Sequence, residues 1–171
     1  MNFKKIASIL FNLAIAVFIL KLGVDRYKIM ETQDSVISRV IQPAGLLSLD
    51  GAEASLDKKP AVVIFWASWC GPCTVELARI RDSISSGELS PEGIVAIGIW
   101  DDMPAIKAAA SERQYNFEVL VDSMGEAAQL FKIQATPTKA YIGSAGEVVE
   151  FSNGLGVFTI SSIKDHLNNE S

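Results

Sequence analysis

The chain has 171 residues and a formal net charge of −5, from 15 Lys and Arg against 20 Asp and Glu. No basic run appears beyond the extreme N-terminus, which argues against nucleic acid as a partner. Hydrophobic residues make up 49% of the sequence, enough to build a full core for one domain with a small appendage.

The appendage comes first. Met1-Asn2-Phe3-Lys4-Lys5 is a basic head, and no charge follows from Ile6 to Leu20. A helix of about 15 uncharged residues spans about 22 Å, short of the ~30 Å hydrocarbon core. Leu22-Gly23-Val24 extends it if Lys21 snorkels. The one A-x-A match, Ala14-Ile15-Ala16, lies inside the apolar run, so a retained membrane anchor is expected rather than a cleaved signal peptide. The segment is apolar all round instead of striped, which disfavours a soluble helix. Lys4 and Lys5 before the span nearly balance Lys21, Arg26 and Lys28 after it. The order of basic head then apolar run places the N-terminus inside. Residues 1–24 are thus read as head and anchor, 25–41 as a polar, partly helical linker, and 42–171 as the domain.

Within the domain, Leu46 to Leu49 and Ala52 to Leu56 flank the turn Asp50-Gly51, a hairpin signal that Lys58-Lys59-Pro60 closes. Ala61 to Ala67 is a continuous apolar run that suits a central strand covered on both faces. An amphipathic helix follows to about Ser86. Ile94 to Trp100 reads as a second buried strand. Asp101-Asp102-Met103-Pro104 then opens a helix, with an acidic cap and an early proline, that runs to about Tyr115. Phe117 to Val121 is a strand, Glu126 to Phe131 a short helix, and Lys139 to Ile142 and Glu147 to Phe151 a hairpin around Gly143-Ser144-Ala145-Gly146. Asn153-Gly154-Leu155-Gly156 is a turn and Thr159 to Asn168 a terminal helix. Strands alternating with helices indicate an α/β sheet with right-handed crossovers.

The chemistry concentrates in Trp69-Cys70-Gly71-Pro72-Cys73. These are the only two cysteines, placed where a buried strand ends and a helix begins. The first turn of a helix carries unpaired N–H groups and the positive end of the macrodipole. A thiolate there is stabilised, so more nucleophile exists near neutral pH. Cys73, three residues further, lies on the same face and deeper. Two cysteines so placed can close a disulfide and reopen it. A zinc site would want four ligands, and the only histidine, His166, is remote in sequence, so no metal is expected. A static disulfide closing so short a loop would gain little entropy.

Phe65-Trp66-Ala67-Ser68-Trp69-Cys70-Gly71-Pro72-Cys73, then Thr136-Pro137-Thr138, then a glycine-containing hairpin, resembles the thioredoxin superfamily over about residues 44–168. The N-terminal apolar segment, the hairpin at 46–56 and the strand-helix insert at 99–121 make the chain similar to the membrane-anchored TlpA/ResA-like thiol-disulfide oxidoreductases. The resemblance implies a thioredoxin fold, a mixed sheet flanked by helices, with an N-terminal hairpin extension and one transmembrane helix. It implies that Cys70 attacks and Cys73 resolves. Thr136-Pro137 would form a cis-proline junction that, with Trp69, Gly71 and Pro72, receives a substrate segment. Glu76 matches the acidic residue this subgroup carries three positions after the second cysteine, where proton exchange with Cys73 is geometrically reasonable. Read from the residues alone, Glu76 is equally a solvated first-turn glutamate.

Two positions depart from the wider superfamily. Ile64 stands where cytosolic thioredoxins carry a buried aspartate, and Ala78 where the helix usually has a kinking proline. The resemblance implies a protein-disulfide reductase without a cofactor beyond the Cys70–Cys73 disulfide. The domain would face the periplasm or cell exterior, and a membrane electron donor would recharge it. Apocytochrome c is one candidate client, and a monomer is expected. A disulfide-forming oxidant, or a non-catalytic adaptor or chaperone of the same fold, are the alternatives.

Overall fold

In a computed structural model, residues 3–56 and 61–170 are described. Lys58-Lys59-Pro60, expected to close the hairpin, and Met1-Asn2 of the basic head lie outside them. The chain divides into two units, Met1–Ser35 and Val36–Ser171.

The first unit is one helix, α1 (Phe3–Asp34). It runs without a break, so the polar stretch expected as a partly helical linker is helical as far as Asp34. Large apolar side chains from Ile9 to Val24 are exposed, among them Leu10, Phe11, Leu13, Val17, Phe18 and Leu20. Among the described residues, no helix is long and apolar enough to cross a membrane.

The second unit carries β1 (Leu46–Ser48), β2 (Glu53–Ala54), β3 (Ala61–Trp66), α2 (Gly71–Ser85), β4 (Ile94–Gly98), α3 (Met103–Glu112), β5 (Glu118–Asp122), α4 (Glu126–Leu130), β6 (Thr138–Ile142), β7 (Val148–Asn153) and α5 (Thr159–Asn169). One seven-stranded sheet takes the order β2-β1-β5-β4-β3-β6-β7. The parallel pairs are β3–β4 and β4–β5; β1–β2, β1–β5, β3–β6 and β6–β7 are antiparallel. The sheet is therefore mixed, with β3 at its interior and buried along its whole length.

Strand alternation sorts the core into two layers. Val62, Ile64 and Trp66 face a layer shared with Cys73, Leu77 and Ile80 of α2, Ile106 of α3 and Ile163 of α5. Ala61, Val63 and Phe65 face the opposite layer, with Ala127 and Ala128 of α4, Phe131 beyond it, and Val36. Two expected elements end earlier than their sequence patterns. β4 stops at Gly98 because Trp100 takes a left-handed φ of 56°. α3 stops at Glu112, where Arg113 caps the last turn and Gln114 turns left-handed at φ 53°. The expected acidic cap of α3 is Asp102, whose side chain accepts from the Ala105 N–H at 2.8 Å.

Candidate active site

β3 delivers its C-terminal end to a short loop, and α2 starts immediately after it. Cys70 is the N-cap of α2, and Pro72 occupies the first turn, where its missing N–H costs nothing. Cys70 and Cys73 are joined by a disulfide, S–S 2.02 Å, with Cα atoms 5.2 Å apart. The Cys73 N–H donates to Cys70 Sγ at 3.2 Å. Thus the sulfur occupies the place that a serine or aspartate oxygen takes at an ordinary helix N-cap. Cys70 is 5% exposed and Cys73 fully buried.

Three residues frame the sulfur pair on the outside: Trp69, 65% exposed, and the exposed Gly71 and Pro72. The loop is braced from two directions. Asp101 Oδ2 accepts from the Ser68 N–H at 2.8 Å, and Arg113 Nη2 donates to the Ser68 carbonyl at 3.4 Å. Thr136-Pro137 is a cis peptide. Phe65 pairs with Thr138, so Pro137 enters β6 at the sheet end from which β3 leads into Cys70. The Pro137 carbonyl accepts from the Gly154 N–H at 2.7 Å, which ties the turn after β7 to this junction.

Glu76 is fully buried, so its reading as a solvated helix glutamate falls. Its Oε1 accepts from Lys139 Nζ at 2.6 Å, from Thr159 Oγ1 at 2.6 Å and from the Gly156 N–H at 3.4 Å. Oε2 has a longer contact, Arg79 Nη1 at 3.5 Å. Lys139 is fully buried as well and also donates to the Gly154 carbonyl at 2.8 Å. Arg79 holds the Gly156 and Val157 carbonyls at 2.7 and 3.1 Å. Helix α2, strand β6 and the turn before α5 are thereby locked together around one carboxylate.

Sequence reasoning missed Lys139 and Thr159. The signal for Lys139 was present: a lysine inside an apolar strand next to a central one must find a counter-charge. Burial pushes the neighbouring Tyr141 phenol up to about 12, helped by the charges of Glu150 and Glu76. Gly156 completes the network by having no side chain, since a Cβ there would stand 2.5 Å from Thr159 Oγ1. Gly156→Ala is expected to displace that hydroxyl and cost about 1–3 kcal/mol. A urea midpoint compared with wild type checks it.

The fold and this site define a thioredoxin-fold protein built around a disulfide at a helix tip. The chain belongs to the AhpC/TSA family, whose pattern it matches over residues 46–151. It is similar to the thiol-disulfide oxidoreductase ResA of Oceanobacillus iheyensis, 29% identical over 67% of this chain. That match spans 59% of the relative's length. It is also similar to the sporulation thiol-disulfide oxidoreductase A of Bacillus subtilis, 21% identical over 69% of this chain and 73% of that one. Among solved structures, a putative thiol:disulfide interchange protein DsbE from Chlorobium tepidum shares the fold. Its TM-score is 0.64 at 22% identity, covering 78% of this chain and 96% of that one.

Proposed function

We propose that the protein is a thiol-disulfide oxidoreductase that reduces protein disulfides. The observation that carries this reading is the N-cap position of Cys70, whose sulfur receives the Cys73 amide. Once the Cys70–Cys73 disulfide is reduced, a thiolate at that atom gains the same hydrogen bond and the helix dipole. It attacks one sulfur of a substrate disulfide, the substrate S–S bond breaks, and a mixed disulfide forms while one substrate thiolate leaves. Cys73 then loses its proton and attacks Cys70 Sγ. The mixed disulfide breaks, the second substrate thiolate leaves, and Cys70–Cys73 closes again. The substrate gains two electrons and the protein loses two.

Glu76 stands one helical turn after Cys73, and its less engaged oxygen, Oε2, is the proton acceptor in this reading. Trp69, Gly71 and Pro72 form the contact rim, and Thr136-Pro137 offers its backbone to an extended substrate segment. The scheme needs no cofactor or metal. Gly71-Pro72 between the cysteines resembles the reducing members of the superfamily, with thioredoxin itself at about −270 mV.

The exposed apolar residues of α1 support a membrane tether; in this reading the domain is a monomer that faces the periplasm or cell exterior, and a membrane dithiol donor recharges it. The relatives' names fit thiol-disulfide exchange, and apocytochrome c is one candidate client in this reading. Cys73→Ser tests the reading. It is expected to accumulate mixed disulfides resolvable on non-reducing gels, whereas Cys70→Ser accumulates none. Trapping by Cys70→Ser alone would overturn the assignment, and alkaline carbonate extraction of membranes tests the tether.

A further inference from the structure

Lys139 and Ile64 are Cα partners across the β3–β6 ladder. Directly opposed residues of an antiparallel pair project to the same face. Ile64 belongs to the layer that holds Cys70, Cys73 and Leu77. Lys139 therefore enters the layer behind the disulfide, across from Ile64. Its ammonium does not reach solvent. It ends on Glu76 Oε1 at 2.6 Å and the Gly154 carbonyl at 2.8 Å. Cys73 and Glu76 are three residues apart on α2, which puts their Cβ atoms about 5–6 Å apart. An unpaired carboxylate at that position would repel a thiolate at the helix tip, in a setting where little water screens the repulsion.

We propose that Lys139 is a positioning residue for thiol-disulfide exchange: its ammonium, paired with Glu76 behind Cys73, cancels the carboxylate's charge and so preserves the reactive thiolate of Cys70. The proposal rests on the reading of Cys70 as the attacking sulfur. The other charged or titratable groups around the site are few. Arg79 on α2 also reaches Glu76 Oε2, at 3.5 Å, while it holds the Gly156 and Val157 carbonyls, but its side chain is 39% exposed, so solvent screens its charge far more than that of the buried Lys139. Tyr141 on β6 stays a neutral phenol through the neutral range. Asp101 and Arg113 brace Ser68 on either side of the loop with opposite charges.

The test uses the full chain, reduced, with three variants that step the charge of the pair. Wild type and the Glu76→Gln, Lys139→Met double variant carry none, Lys139→Met leaves one negative charge, and Glu76→Gln leaves one positive. The readout is the pH profile of Cys70 alkylation by iodoacetamide, with ultraviolet thiolate absorbance alongside. The thiolate fraction at about pH 7 is expected to fall about tenfold in Lys139→Met, equal to one pKa unit. It is expected to rise in Glu76→Gln and to return near wild type in the double variant. A merely structural role would lower reactivity in both single variants or leave all four profiles alike, and either result overturns the proposal. If Lys139→Met does not fold, Glu76→Gln must still exceed the double variant, and equality between them is fatal. Mixed-disulfide trapping by Cys73→Ser reports separately on the exchange reading. Trapping with flat profiles sinks only the role of Lys139, whereas absence of trapping sinks the exchange itself.

Discussion

Glu76→Ala is expected to destabilise the domain by ~3–5 kcal/mol, the cost of leaving one member of a buried ion pair uncompensated. Both partners are fully buried, and the Nζ–Oε1 contact is 2.6 Å. Removing the carboxylate strands the Lys139 ammonium with the Gly154 carbonyl as its remaining acceptor, and it deprives Thr159 Oγ1 of its strongest partner. The attraction within such a pair is large, but so is the desolvation it offsets, so the intact pair contributes little net stability. Two expected results follow from that difference. The single variant lowers the urea midpoint steeply with an unchanged m-value. The Glu76→Met, Lys139→Met double variant, which buries apolar atoms of similar length instead, recovers most of the loss. A single-variant cost below about 1 kcal/mol would show that the pair is solvated in solution. This measurement concerns stability, and it separates the part of Glu76 that holds the fold from any part it takes in proton exchange.

The elements near the disulfide were legible because their causes are local. Ala61 to Trp66 announces a covered strand by its composition, and Cys70 to Cys73 follows where a helix must begin. Asp102 and Pro104 mark a helix start in the same way, and Asp50-Gly51 a turn. What the sequence hides is set by contacts between distant segments. The 46–54 hairpin is readable, but its antiparallel attachment through β1 to β5 joins Leu46 to Asp122, and nothing in either stretch names the other. Glu76 could not be assigned to core or surface, because its partners Lys139 and Thr159 are 63 and 83 residues away. Lys139 and Tyr141 fall on one face of β6, and a lysine on that face invites reading it as solvent-facing. The sheet order puts β6 between β3 and β7, with α2 and α5 over it, so that face is closed. The ends of β4 and α3 lie at single backbone turns, Trp100 and Gln114, residues whose type does not announce a left-handed conformation.

Cys70→Ser is expected to reduce disulfide exchange to the rate of the uncatalysed reaction, the largest functional effect of any single change here. The reason lies in access as much as in chemistry. Both cysteines are buried, but Cys70 keeps 5% of its surface where Cys73 keeps none, and Cys70 Sγ is the atom that accepts the Cys73 amide at 3.2 Å. Cys73 is fully buried against Leu77 and Ile80, where an apolar setting disfavours its thiolate and no visiting disulfide can line up with it. Serine at 70 can still cap α2 through its hydroxyl, so the fold persists while the nucleophile is lost. In the reduced wild-type protein, the same asymmetry is expected to make iodoacetamide modify Cys70 at least about tenfold faster than Cys73 at about pH 7. Peptide mapping of the alkylated protein reads the ratio directly. Equal labelling of both cysteines, or faster labelling of Cys73, would mean that the helix tip does not polarise the sulfur it carries, and the order of the two attacks would have to be reversed.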